Sequence, residues 1–269
     1  MKKAFVFVIT VFMALVLFAC TPSENSAVAY RIVHKDYVGV VNVVVDDDVI
    51  TDVAITEYYL PYTWAKVAGS TAEGQSDVVV VAKTNATTQV TTYTWYAKYI
   101  VIGDKQFTGE LRTETLVIGD VTYSNETVKY VAEGIADLFV WLKDSEANMQ
   151  WYVEQLIAGA AYVAKDTFAV NTSLYPWNQG NGFTKLGTGY WYGASYPLGW
   201  SGNMDAIYAA VEGKVFVADA VLTQATNNPD TTANEAVWSI ADAVSGATLT
   251  DFKDYYALIG LAYAKTQAE

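Results

Sequence analysis

Two β-branched runs separated only by aspartates place the strongest constraint on how this chain can fold. Val40-Val41-Asn42-Val43-Val44-Val45 and Val49-Ile50-Thr51-Asp52-Val53-Ala54-Ile55 flank Asp46-Asp47-Asp48. β-Branched side chains are stiff at χ1 and pack well on a pleated surface, while aspartate suits turn backbone. The spacing predicts a β-hairpin over 40–55. The three aspartates read as a solvated turn. A calcium loop would need alternating oxygen ligands and a distal glutamate, which do not follow here.

Further strand-like runs cover Asp77–Ala82, Gln89–Ile102 and Glu114–Ile118. Residues 126–164 are expected to be helical, most clearly Met149–Tyr162, where apolar residues recur at three- and four-residue spacing. Residues 171–202 are rich in Gly, Asn and aromatics and read as a long loop or as glycine-loosened strands. Met204–Val211 and Lys214–Leu222 suggest a second hairpin around Glu212-Gly213, Gln224–Asn234 a polar loop, and Leu249–Lys265 a closing helix. The expected class is α+β, with antiparallel β-sheets and packed helices. A weak repeat runs through the chain. Tyr37-Val38-Gly39 and Trp200-Ser201-Gly202 each precede a hairpin signal, and Gly159-Ala160-Ala161-Tyr162 and Gly260-Leu261-Ala262-Tyr263 each end a helix signal. It predicts two related modules, 30–165 and 166–269.

Composition excludes several classes. Apolar residues make up 52% and charged residues 17% of the 269, too apolar for a disordered acidic tail and long enough for a sizeable core. A net charge of −13 argues against nucleic acid, because phosphate binding needs clustered Lys and Arg. One cysteine and one histidine, His34, exclude an internal disulfide framework, a Cys- or His-clustered metal site and any Ser-His-Asp site not built on His34. His34 itself reads as a surface or edge-strand residue. The 20 Tyr, 8 Trp and 10 Phe suit sheets and ligand clefts without naming a ligand.

The N-terminus reads as an export signal. Met1-Lys2-Lys3 precedes Ala4–Phe18, apolar apart from Thr10. Fifteen residues span about 22 Å as a helix, short of the roughly 20 residues a membrane span needs. Leu17-Phe18-Ala19-Cys20 then resembles a bacterial lipobox, in which Cys20 is lipidated and becomes the mature N-terminus; Phe18 departs from the usual small or β-branched residue. Residues 1–19 are thus expected to be a lipoprotein signal peptide and 20–29 a tether. Loss of Lys2 and Lys3 takes the formal charge from −13 to −15 on 250 residues. The protein would be extracytoplasmic and held to the cell membrane or the outer membrane by lipid on Cys20.

Asp242-Ala243-Val244-Ser245-Gly246-Ala247-Thr248 fits Asp-x-x-[Ser/Thr]-Gly-Ala-[Ser/Thr]. Chance supplies such a match in on the order of one in a thousand chains of this length. With Trp200-Ser201-Gly202 and Glu212-Gly213-Lys214 before it and a helix after it, the chain resembles the FMN-binding domain family. That family includes bacterial lipoproteins and flavin-carrying subunits of ion-pumping electron-transport complexes. The resemblance is good over 200–265 and degenerate over 30–165. It implies FMN esterified through its phosphate to Thr248 by a separate flavin transferase that uses FAD. It also implies electron transfer between a redox donor and an acceptor. Ser245, Gly246 and Ala247 would form the attachment segment, and Asp242 would serve recognition by the transferase. Gly246 and Ala247 leave little bulk around the hydroxyl. Thr248-x-x-Asp251 has capping-box form, so the phosphate is expected at a helix N-terminus. In the first module Asp144-Ser145-Glu146-Ala147 lies opposite the motif without its Gly and terminal hydroxyl, so one flavin per chain is expected.

Trp238, Tyr255, Tyr256, Trp200 and Tyr190-Trp191-Tyr192 are candidates for contact with the flavin ring, although each is better explained as core or sheet surface. Leu60-Pro61 matches the Glu-Thr-Pro-Gly loop of the family too weakly to carry a role. An electron carrier or redox domain is expected rather than a self-contained enzyme. The alternative is a flavin-free surface lipoprotein in which residues 175–202 form a sugar or peptide groove.

Overall fold

A computed structural model describes residues 25–34, 37–69, 74–85, 87–118, 121–174, 183–185, 198–225, 237–240, 243–245, 247–248 and 251–268. Cys20, Asp242, Gly246, Tyr190-Trp191-Tyr192 and the expected groove at 175–182 and 186–197 lie outside them. The architecture is α+β, with antiparallel strand pairing in its sheets and five helices among the described residues. None of these helices is long and apolar enough to cross a membrane.

The hairpin forms where the β-branched runs predict it. β2 (Tyr37–Asp46) and β3 (Val49–Tyr59) are joined by Asp47 and Asp48, with φ of 46° and 65°. Positive φ at both loop residues matches the twist of the flanking strands, and aspartate tolerates it. Val41, Val43, Val45, Ile50, Val53 and Ile55 are buried. β1 (Ser26–Val33) completes the sheet in the order β1-β2-β3, with Ala29 and Val33 buried. β1 therefore begins at Ser26, inside the segment expected as a tether over 20–29.

The chain divides into two compact units, and not at residue 165. One consists of the chain up to Tyr30 with Gly39–Thr56 and Leu186–Glu269; the other consists of Arg31–Val38 and Glu57–Lys185. Non-local strand and helix packing sets this division, so the hairpin that opens the expected first module belongs with the C-terminal segment.

The second unit holds a four-stranded sheet of order β10-β7-β8-β9 and a three-stranded sheet of order β4-β6-β5. Their strands are β4 (Lys66–Val67), β5 (Val78–Thr84), β6 (Thr91–Ala97), β7 (Tyr99–Ile102), β8 (Lys105–Ile118), β9 (Val121–Val131) and β10 (Ala161–Ala164). Its helices are α1 (Pro61–Trp64), α2 (Leu138–Asp144) and α3 (Glu146–Ile157). Helix over 126–164 is thus corrected in part: residues up to Val131 pair with β8 as a long hairpin. Asp137 caps α2 by accepting from the N–H groups of Phe139 and Val140, and Ser145 caps α3 by accepting from Asn148 N–H. Gly159, at φ 66°, follows the end of α3, and Tyr162 lies in β10. Gly260 lies inside the last helix instead, so the two Gly-x-Ala-Tyr segments are not structural equivalents.

In the first unit, α4 (Gly199–Val211) replaces the first strand of the expected second hairpin. Trp200, Asn203, Met204, Ile207 and Val211 are buried, a helical spacing, and Ala206, Ala209 and Ala210 favour helix. Trp200-Ser201-Gly202 therefore lies within a helix. After Gly213 the chain makes an isolated bridge, Val49 to Val215, in place of a strand. β11 (Leu222–Ala225), β12 (Val237–Ile240) and β13 (Ala243–Val244) form a small antiparallel sheet, and α5 (Phe252–Thr266) closes the chain. A side chain at Gly260 would meet the Phe216 ring at 2.8 Å, so its absence lets that ring lie on α5.

Tyr208 ties α4 to β3: its hydroxyl accepts from Ile55 N–H at 2.8 Å and donates to Ile55 O at 3.3 Å. Burial, aided by the charges of Asp205, Asp52 and Glu212, pushes its phenol up to about 12, against the pull of the Ile55 bond. Above its ordinary value near 10 the unfolded chain releases this proton while the folded chain keeps it. The stability involved is complete below pH 10 and is lost between pH 10 and about 12, at most roughly 2–3 kcal/mol. Urea melts from pH 9 to 12 are expected to show a smaller decline for Tyr208→Phe than for the parent.

Candidate functional site

The segment carrying Ser245, Ala247 and Thr248 is built on Trp238. Antiparallel pairing of Ser239 with Val244 and of Ile240 with Ala243 turns the chain back. Ser245 N–H donates to Trp238 O at 2.8 Å, and Trp238 N–H donates to Ala247 O at 2.9 Å. The Ser245 hydroxyl donates to Trp238 O at 2.6 Å and accepts from Ala247 N–H at 3.2 Å. Ser245 is 9% exposed and Ala247 fully buried. Ser245 is thus a brace for the segment, and its buried hydroxyl is occupied on both sides. Ser245→Ala leaves Ala247 N–H and one Trp238 O interaction unmet and is expected to cost about 1–3 kcal/mol in urea unfolding. It retains the Thr248 hydroxyl.

Thr248 is half-buried. Its N–H donates to Asn203 Oδ1 at 2.7 Å, and its hydroxyl donates to the same oxygen at 3.3 Å. The capping box expected from Thr248-x-x-Asp251 does not form. α5 starts at Phe252, with Asp251 at the N-cap making no side-chain cap bond. Asn203 takes the Thr248 N–H that a capping box would pair with the Asp251 carboxylate, and Thr248 stands four residues before the first helical residue. The expectation of a phosphate directly at the α5 N-terminus is corrected accordingly.

Sequence reasoning missed Asn203, which is 45 positions from Thr248 and 4% exposed. Its one available signal was a polar residue at a buried helical position, which requires a partner.

Of the aromatic candidates, Trp200, Trp238, Tyr255 and Tyr256 are buried. Trp238 stacks on Phe252 at 5.5 Å and 8°, Phe252 on Tyr256 at 6.3 Å and 16°, and Tyr256 on Phe216 at 4.6 Å and 28°. Lys253 Nζ lies 5.4 Å over the Trp238 ring. The Tyr256 hydroxyl donates to Val217 O at 2.7 Å, and burial raises its pKa. A mostly apolar pocket of about 190 Å³ is lined by Val211, Lys214, Phe216, Val217, Ile240 and Tyr256. Val215 and Val217 are 53% and 56% exposed on this side of the unit. α4, β12 and α5, which hold Thr248 or flank it, also line this pocket through Val211, Ile240 and Tyr256.

In the second unit, His34 (φ 48°) stacks on Tyr37 at 6.0 Å. Leu60 is buried and Pro61 opens α1, an ordinary helix start.

Comparison with protein-family models, with curated proteins and with solved structures gave no match.

Proposed function

We propose that this chain is an extracytoplasmic flavoprotein, held to a membrane by lipid on Cys20, that carries FMN covalently on Thr248 and transfers electrons. The observation that carries the reading is a half-buried threonine hydroxyl at the end of the Asp242–Thr248 motif, on backbone held through Trp238 and Asn203. A second support is the division of the chain. The 39–56 hairpin, Thr248 and α5 fall in one unit, an arrangement that supports a single module built from strand, acidic turn, strand, motif and helix. We therefore read one flavin module interrupted by residues 57–185, in place of two tandem modules.

The residues present suit the group. Thr248 offers the acceptor oxygen on a half-buried side chain. Phe216 and Tyr256 line an apolar pocket to which α4 and β12, the elements that hold the Thr248 backbone, also contribute. When bound, the isoalloxazine supplies one- and two-electron chemistry. The protein supplies the tether, which keeps cofactor outside the cell, and a strongly acidic chain that disfavours anionic flavin within screening limits. Its partners would be the flavin transferase that matures it, a membrane electron donor and a soluble or surface acceptor.

Coexpression of the exported full chain with a flavin transferase tests this. One FMN per chain by intact mass, yellow colour and reduction of the flavin by membrane vesicles are the expected results. Unmodified, colourless protein overturns the reading and returns the binding lipoprotein to the front.

A further inference from the structure

We propose that Asn203 is the positioning residue that presents the Thr248 hydroxyl for flavin transfer, an inference that rests on the attachment reading above. A carboxamide at 4% exposure, on the same helix face as Trp200, Met204 and Ile207, is costly unless both ends are satisfied. Here each end has one possible role. Asn203 Nδ2 donates to Gly199 O at 2.7 Å, and a carbonyl can only accept. Asn203 Oδ1 faces Thr248 N–H, which can only donate. The two contacts fix the amide orientation without ambiguity and hold Oδ1 as a rigid acceptor.

The Thr248 hydroxyl then has its hydrogen directed to Asn203, at 3.3 Å. A hydroxyl carries one hydrogen and two lone pairs, so directing the hydrogen inward leaves both lone pairs for an electrophile approaching from outside. In the transfer step Thr248 Oγ1 attacks the phosphorus on the flavin side of the FAD pyrophosphate. The Oγ1–P bond forms, the P–O bond to the AMP phosphate breaks, and AMP leaves. The hydroxyl proton passes to a base of the transferase, since an amide oxygen is too weak a base to keep it. After transfer the Thr248 N–H bond to Asn203 still holds the backbone. Asn203 thus acts through Thr248 and touches no reacting phosphate.

The experiment measures incorporation of flavin from FAD into the full chain by purified transferase, over a range of acceptor-protein concentrations. Asn203→Ala is expected to lower the maximal rate about 10- to 100-fold, with KM for the acceptor changed little, because Ser245 and Ala247 keep their bonds to Trp238. Asn203→Asp keeps an oxygen at Oδ1 but loses the donor to Gly199, so an intermediate rate is expected. Tyr208→Phe removes a buried hydrogen bond from the same helix without touching Thr248 and is expected to keep the parental rate. A parental maximal rate in Asn203→Ala overturns the inference, as does equal slowing by Tyr208→Phe. Should Asn203→Ala not fold, a parental rate in Asn203→Asp overturns it. Wild-type chain that takes no flavin brings down the attachment reading, and the role of Asn203 with it. Modified wild type with an unaffected Asn203→Ala brings down the role of Asn203 alone.

Discussion

Thr248→Ala is expected to abolish covalent flavin completely, leaving protein of unmodified mass and no visible absorbance, while Thr248→Ser retains modification. The alanine variant keeps the strongest contact at this position, the 2.7 Å bond from its N–H to Asn203. It loses only the hydroxyl contact, 3.3 Å long and on a half-buried side chain. Such a bond contributes on the order of 1 kcal/mol or less, so the variant is expected to unfold in urea within that margin of the parent. Loss of flavin from a folded chain then isolates the acceptor atom. Serine keeps that atom but lacks the γ-methyl that restricts χ1, so its hydroxyl samples more rotamers and its modification is expected to be slower, not absent. Ser245→Ala makes the opposite pattern: measurable destabilisation with the flavin retained. Flavin on the Thr248→Ala chain would move the acceptor elsewhere, and Ser245, buried and bonded on both sides, is a poor substitute.

These contrasts show which parts of the molecule were legible in the sequence. The first hairpin was, because local chemistry decides it: two runs of β-branched residues and two aspartates able to take positive φ. The closing helix was, because its buried residues Phe252, Tyr255, Tyr256, Ile259 and Ala262 keep helical spacing. α4 was missed although Trp200, Met204, Ile207 and Val211 have the same period; aromatic-x-Gly followed by Glu-Gly-Lys outweighed it. β9 was missed because its polar residues look helical in isolation, and only pairing with β8 makes them a strand. The division of the chain was hidden for the same reason. Pairing across a long insertion is a tertiary choice and leaves no local mark. At the site, Thr248 announces itself through a contiguous motif, whereas Asn203 is brought to it by folding alone.

Breaking the buried ion pair between Glu57 and Lys185 is expected to produce the largest loss of stability of any single substitution considered. Lys185 Nζ lies 3.0 Å from Glu57 Oε2, with the two side chains 1% and 0% exposed. It also lies 3.6 Å from the centroid of the Tyr37 ring, a close cation–π contact. The pair joins the two ends of the 57–185 segment, where backbone bonds run from Lys185 N–H to Glu57 O at 3.2 Å and from Tyr59 N–H to Phe183 O at 2.8 Å. Lys185→Met removes the cation and leaves a buried carboxylate without its ion-pair partner, and Glu57→Leu does the reverse. Each is expected to cost about 3–5 kcal/mol in urea unfolding, because desolvation of the remaining charge is no longer offset. Glu57→Leu with Lys185→Met removes both charges and keeps much of the volume, so it is expected to recover most of that loss. The double-mutant cycle therefore separates the penalty of a stranded charge from the net worth of the pair. Single variants within 1 kcal/mol of the parent would mean that water reaches these groups in solution. If the double variant is as unstable as the singles, the site depends on the hydrogen-bond geometry of the pair, and apolar packing does not replace it.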